Sequence, residues 1–179
     1  MRVIAGTAKG RRLAGPPSRA TRPTSDLVRG AVFSALEAMG ADLTRTLDLY
    51  AGSGALGIEA LSRGGDWCDF VESDARACAA IRENLSRTGF EGQGKVIRST
   101  VERALERLEG PYTLVLADPP YADEATPALE RLTELGLAEA GRTVVALEHS
   151  SRAEGPERLG GLTRLKTLRH GDSAVSIYR

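Results

Sequence analysis

The chain has 179 residues, 41% of them apolar and 27% charged, with 24 basic and 24 acidic side chains in formal balance. That length suits one domain with its own core, and the composition is that of a soluble globular protein rather than a fibrous or disordered one. No apolar run approaches the roughly 20 residues that span a bilayer, which points to a cytoplasmic protein, and two cysteines, Cys68 and Cys78, are too few for a disulfide scaffold and lack C-x-x-C zinc spacing.

The charge is not evenly spread. Residues 1–30 carry seven basic side chains (Arg2, Lys9, Arg11, Arg12, Arg19, Arg22 and Arg29) against Asp26 alone, a net +6, so the remainder carries −6. Screening confines charge interactions to about 10 Å, so a basic arm can hold a phosphate backbone on a protein whose total charge is zero. Lys9, Arg11, Arg12, Arg22 and Arg29 are the candidate nucleic-acid contacts; a merely solvated basic tail is the alternative.

In chain order, Arg2-Val3-Ile4-Ala5-Gly6 and Arg11-Arg12-Leu13-Ala14 flank a short polar segment and predict a β-hairpin. Pro16, Pro17 and Pro23 keep the chain extended up to Thr24-Ser25-Asp26, whose oxygens are good helix caps. Leu27, Val28, Ala31, Val32, Ala35 and Leu36 then recur at helical spacing until Gly40. Residues 1–40 read as a basic extension on a domain formed by residues 41–179.

From residue 46 strands and helices alternate. Strand 46–50 leads into helix 55–63, strand 67–72 into helix 74–87 with Asp74 near its start and Gly89 just past its end, the weaker strand 95–98 into helix 101–109, and strand 112–117 into helix 124–135, before the apolar run 142–148. Nearly all-apolar strands separated by helices predict a parallel sheet covered on both faces, a doubly wound α/β domain. Leu162 to Leu168 and Ser173 to Tyr178 alternate around His170-Gly171-Asp172 and close the sheet as an antiparallel hairpin, giving about seven strands, with 154–161 as a loop.

Two stretches carry chemistry. In Asp48-Leu49-Tyr50-Ala51-Gly52-Ser53-Gly54-Ala55-Leu56-Gly57 the three glycines have G-x-G-x-x-G spacing, which lets a strand turn sharply into a helix and approach a nucleoside cofactor. Glu72, twenty residues after Gly52, ends the next strand, where a carboxylate can accept both hydroxyls of a ribose, and Ser73 follows it. Tyr50, Ala51 and Ser53 belong to the turn itself, although the Tyr50 ring reads first as a packing group. This much suits NAD and S-adenosylmethionine alike. Asp48, four residues before the first glycine, favours the latter, whose methionyl ammonium needs an acceptor.

The second stretch, Asp118-Pro119-Pro120-Tyr121, follows strand 112–117. An exocyclic NH₂ on a base is a poor nucleophile because its lone pair is delocalised into the ring. Hydrogen bonds from that amine to Asp118 and to a backbone carbonyl stiffened by the prolines favour a localised, pyramidal nitrogen. Tyr121 can stack on the base, worth roughly 1–3 kcal/mol. Methyl transfer then needs little beyond positioning, and no metal.

Met1-Arg2-Val3-Ile4-Ala5-Gly6, Lys9-Gly10-Arg11, Thr21 to Asp26, Val28-Arg29, the block from Leu47 to Gly64, and Asp118 to Tyr121 together resemble the bacterial 16S rRNA guanine-N2 methyltransferases of the RsmD family, over nearly the whole chain. The resemblance implies a seven-stranded, Rossmann-like class I methyltransferase sheet with an N-terminal hairpin extension. It also implies S-adenosylmethionine as donor, S-adenosylhomocysteine as product, and one substrate, the guanine at position 966 of 16S rRNA, within the 30S subunit or a late assembly intermediate. By it Asp48, Gly52, Gly54 and Glu72 belong to the cofactor site, Asp118 to Tyr121 form the catalytic loop, and Arg22 and Thr24 close over the cofactor or the base. The chain departs from the family where an acidic residue often meets the adenine: it has Arg98-Ser99-Thr100-Val101, so Ser99, Thr100 or backbone amides take that place. A Tyr-Gly pair common near the family's C-terminus is His170-Gly171 here.

Three other readings remain. Asp-Pro-Pro-Tyr accepts any exocyclic amine, so N6 of adenine in DNA or RNA is one, though no separate domain is present to read a DNA sequence. An NAD-linked oxidoreductase fits the glycine turn but not Asp48. A non-catalytic RNA-binding assembly factor does not account for an intact Asp118-Pro-Pro-Tyr. A monomer that finds its target through the shape of a ribosomal particle is the expectation for a chain with no recognition module.

Overall fold

The computed structural model describes residues 1–15, 26–120 and 122–179, with the backbone alone for 122–124. The candidates Arg22, Thr24 and Tyr121 lie outside the described residues. In chain order the elements are α1 (Asp26–Ala38), β1 (Arg45–Leu49), α2 (Ala55–Ser62), β2 (Trp67–Glu72), α3 (Ala75–Thr88), β3 (Gly94–Arg98), α4 (Val101–Leu105), β4 (Leu114–Ala117), α5 (Ala122–Glu130), β5 (Val144–Ser150), β6 (Arg158–Leu159), β7 (Leu162–His170) and β8 (Ser173–Tyr178).

The strands form one sheet in the order β3-β2-β1-β4-β5-β8-β7-β6. β1 to β5 are parallel; β8, β7 and β6 run antiparallel to their neighbours. Among the described residues the sheet has eight strands where about seven were expected. The additional strand is β6, whose two residues, inside the stretch 154–161 read as a loop, pair with Thr163 and Leu162 of β7. Two residues are too few to display the period-2 alternation by which a strand is recognised. The N-terminal hairpin is reduced to a single antiparallel bridge between Arg2 and Arg12, closed by Val3 N–H to the Arg11 carbonyl at 3.0 Å and Gly10 N–H to the Val3 carbonyl at 2.9 Å.

Both faces of the parallel strands are covered, as their unbroken apolar runs require. On one face Leu47, Leu49, Val115, Val145 and Leu147 meet Val101, Leu105 and Leu129 of the α4–α5 layer. On the other, Cys68 and Phe70 meet Ile58 of α2 and Ile81 of α3, while Leu116 and Ala146 lie under Val32 and Phe33 of α1. α3 is bounded by the expected signals: the Asp74 carboxylate accepts from the Arg76 and Ala77 amides at 2.9 and 2.8 Å, and Gly89 ends the helix with φ 81°.

The first fifteen residues pack on α2. Val3, Ala8 and Leu13 join the core around Ile58 and Phe70, and the buried Glu59 carboxylate accepts from the Ile4 and Ala5 amides at 2.9 and 3.0 Å. Gly6 sits so close to the end of α2 that a Cβ there would lie 1.7 Å from the Ser62 carbonyl oxygen.

This packing corrects one candidate. Arg29, read as a nucleic-acid contact, is wholly buried. Its guanidinium donates to Asp26 at 2.9 Å and to the Arg2 carbonyl, and lies 3.6 Å from Glu59. A cation held by carboxylates inside the protein is unavailable to phosphate. Lys9, Arg11 and Arg12 are exposed around the N-terminal turn, where Arg11 donates to the Arg87 carbonyl at 2.9 Å. Among the described residues no helix is long and apolar enough to cross a membrane.

Candidate active site

Strand order reverses where β1 lies between β2 and β4, and in open α/β sheets ligands bind outside the strand ends at that point. A cleft of about 900 Å³ opens there, a volume suited to a cofactor together with part of a second molecule.

The glycine turn forms its floor. Tyr50, Gly52 and Gly54 take left-handed backbone conformations, with φ 57°, 55° and 76°. For the two glycines this is unstrained; for Tyr50 it is a held conformation of the kind that collects at functional turns. The third glycine acts differently: a Cβ on Gly57 would lie 2.4 Å from the Phe70 ring and 2.6 Å from the Cys68 sulfur, so its absence lets α2 sit against β2.

Two carboxylates are built into the turn. Asp48 is buried, and its Oδ2 accepts the Gly57 amide at 2.9 Å. Burial raises its pKa well above the ordinary carboxylate value; the Gly57 bond opposes this, and the charges of Asp118 and Glu72 add to it. Glu72, at the end of β2, accepts the Gly52 amide on Oε2 and the Asp74 amide on Oε1, each at 2.8 Å. Glu72 therefore shapes the turn that it faces.

Asp48, Tyr50, Ala51, Gly52, Ser53, Glu72, Ser73, Ser99, Thr100, Asp118, Pro119 and Pro120 all line this one cleft. Gly54 does not line it; it caps α2 beneath the floor, with a would-be Cβ 3.1 Å from Ile81. Lys9, Arg11 and Arg12 are not among the lining residues, and Arg29 is buried on the inner side of α1.

A family model described as conserved hypothetical protein 95 matches residues 1–179, the whole chain. The chain belongs to that family, the RsmD family. A Bacillus subtilis strain 168 protein named "Putative rRNA methyltransferase YlbH" is 38% identical over 183 residues, covering 100% of this chain and 98% of that protein. The Escherichia coli K12 "Ribosomal RNA small subunit methyltransferase D" is 37% identical over 121 residues, 68% of this chain and 60% of that protein, which is less than two thirds of its length. A solved structure described as "Putative methyltransferase yhhF from Escherichia coli" matches with a TM-score of 0.85 at 28% identity, covering 99% of this chain and 96% of that one.

In this RsmD-family cleft the motifs account for one wall only. The other is made by Leu147 to Ser150 at the end of β5, by Ala153 to Pro156, and by Asp172-Ser173 at the start of β8, none of which belongs to a local motif. His149 braces it: Nδ1 lies 2.9 Å from the Ser150 carbonyl and Nε2 lies 2.9 Å from Ser176 Oγ. Met1 also reaches the cleft, with its sulfur 3.9 Å from Ser53 Oγ.

Proposed function

We propose that this RsmD-family rRNA methyltransferase transfers a methyl group from S-adenosylmethionine to the exocyclic N2 amine of a guanine in 16S rRNA, the guanine at position 966, acting as a monomer on the 30S subunit or a late assembly intermediate. The observation that carries the reading is that Asp118-Pro119-Pro120 and the Asp48 glycine turn line a single cleft.

The residues fit the donor. A buried acceptor, Asp48, lies beneath the turn for the methionyl ammonium; Glu72, at the end of β2 with one oxygen on the Gly52 amide and the other on the Asp74 amide, suits the ribose hydroxyls; Ser99 and Thr100 line the same cleft and suit the adenine. When bound, S-adenosylmethionine supplies a methyl group on a sulfonium and leaves as S-adenosylhomocysteine. The chain supplies the rest. Asp118 accepts a hydrogen bond from the amine, which favours a localised lone pair on nitrogen, and its negative charge offsets the positive charge that develops there. Pro119 and Pro120 hold the adjoining backbone stiff, and Tyr121 stacks on the base. The enclosed cleft does the positioning, which is most of what such a displacement requires. Lys9, Arg11, Arg12 and Arg22 hold phosphates of the rRNA backbone.

The test is transfer of labelled methyl to 30S particles from a strain lacking this gene, followed by nucleoside analysis. N2-methylguanosine is expected, with Asp118→Ala losing turnover while keeping cofactor affinity. Methyladenosine would move the substrate to the adenine-N6 class, and an unimpaired Asp118→Ala protein would remove the amine-binding role.

A further inference from the structure

The amine contact assigned to Asp118 does not explain why guanine is chosen. Adenine, cytosine and guanine all carry an exocyclic NH₂, and a carboxylate accepts from any of them. The difference lies at the adjacent ring nitrogen. Beside its amine guanine presents a donor, N1–H, where adenine and cytosine present a lone pair.

The second wall of the cleft places an acceptor next to Asp118. β4 and β5 run in parallel with Ala117 opposite Leu147, and that register, carried one residue on, brings Asp118, just past the end of β4, beside Glu148 of β5. Their faces also agree. Leu116 and Ala146, two residues earlier, both belong to the core cluster under α1, and alternation returns Asp118 and Glu148 to that face. Neighbouring strands are about 4.8 Å apart. Both side chains line the cleft, and Glu148 is half-buried. Asp48, on β1 opposite Leu116, lies on the same face two residues short of that row.

The other polar groups of this wall are less suited. His149 has a hydrogen-bond partner at each ring nitrogen. Asp172 is exposed in the turn before β8, and Glu154 is exposed and lies 3.7 Å from Arg169. An ionised carboxylate only accepts hydrogen bonds, so it pairs with N1–H and is repelled by a ring lone pair.

We propose that Glu148 accepts the N1–H of the target guanine beside the N2 amine held by Asp118, and so selects guanine over other bases that carry an exocyclic amine. The assignment rests on the methyltransferase reading above. Glu148 then serves as a specificity residue, with no part in cofactor binding.

The experiment compares 30S particles reconstituted with guanine or with 2-aminopurine at the methylated position; 2-aminopurine keeps the amine at C2 but has no N1–H. The unsubstituted protein is expected to prefer guanine about 100-fold in kcat/KM, as sites built to pair a donor discriminate strongly against its loss. In Glu148→Gln, whose amide can also donate to a bare ring nitrogen, the preference is expected to fall to about tenfold or less, with the Kd for S-adenosylmethionine unchanged. The missing O6 of 2-aminopurine is common to both proteins, so the change in ratio reports the N1 contact. Equal use of the two bases by the unsubstituted protein overturns the assignment, whatever the variant's folding, and so does full guanine preference in Glu148→Gln. Normal N2-methylguanosine formation with either of those results removes the role of Glu148 alone; no transfer to either particle by protein that binds cofactor removes the methyltransferase reading with it.

Discussion

The side-chain amide of Asn84 holds the carbonyl of Ser53: Nδ2 donates to that oxygen at 2.9 Å and to the Ala14 carbonyl at 3.1 Å, while Oδ1 accepts from the Ala14 amide at 2.7 Å. One buried residue of α3 thus joins the glycine turn to the end of the N-terminal segment. The turn that would receive the cofactor and the strap that leads toward the 16–25 stretch share a single anchor.

Asn84→Ala is therefore expected to act on both. It strands the Ser53 carbonyl and both Ala14 backbone groups, at about 1–3 kcal/mol for such buried polar groups. Thermal melting should show the loss of stability, and calorimetry should show S-adenosylmethionine bound about tenfold more weakly. Asn84→Asp should be worse, because it turns a carboxylate oxygen toward two carbonyls. A normally stable Asn84→Asp protein would contradict the network.

The burial of Arg29 against Glu59 separates two kinds of basic residue in the N-terminal block. Glu59 also accepts from Arg63 Nε at 2.8 Å, so one carboxylate joins α1, α2 and the first strap residues. Removing one partner of a buried ion pair costs about 3–5 kcal/mol. At roughly 2–4 °C per kcal/mol for a chain of this size, Glu59→Gln is expected to lower Tm by about 10 °C. Arg29→Met should also lower it, yet leave the salt dependence of rRNA binding unchanged at a permissive temperature. Arg11→Ala or Arg12→Ala should leave Tm alone and reduce the slope of log K against log salt by about 1. A reduced slope in Arg29→Met would return that residue to the RNA surface.

Arg29 also marks where sequence reasoning stops. A count of charges along the chain sees seven basic residues before position 30, but not that the partner of one of them is thirty residues away on another helix. Local signals were legible where the physics is local. The glycine spacing, the Asp74 cap, the Gly89 terminator and the all-apolar strands each follow from backbone freedom, orphan amides or two-sided burial, and each stands where it was expected. The cleft wall made by β5, Ala153 to Pro156 and Asp172-Ser173 has no such signal, because it comes together only when β8 pairs antiparallel with β5. β6 was hidden by its length, and Asn84 by looking like an ordinary polar residue on an amphipathic helix.

Asp48 combines both kinds of information and gives the sharpest pH dependence. Its position before the glycines was readable; its burial, which pushes its pKa well up, was not. In the unfolded chain this carboxyl ionises near 3.8, so between that pH and its raised value the folded protein keeps a proton that the unfolded chain releases. The native state then binds more protons than the unfolded state, and the contribution of Asp48 to stability falls as pH rises through the window. Asp48→Asn abolishes that ionisation while its amide oxygen can still accept the Gly57 amide. The cofactor-free variant is accordingly expected to melt a few degrees above the unsubstituted protein at neutral pH, and by a smaller margin as pH falls toward 4. An ammonium group bound at Asp48 favours the ionised form, so cofactor affinity should strengthen as pH rises through the same window. Asp48→Asn should lose that dependence together with about 100-fold in affinity, the scale of a buried charge-assisted bond. Melting curves and S-adenosylmethionine titrations between pH 4 and 8 check both. A variant that melts lower at neutral pH and binds the cofactor normally would mean that Asp48 serves the glycine turn alone, as an acceptor for Gly57.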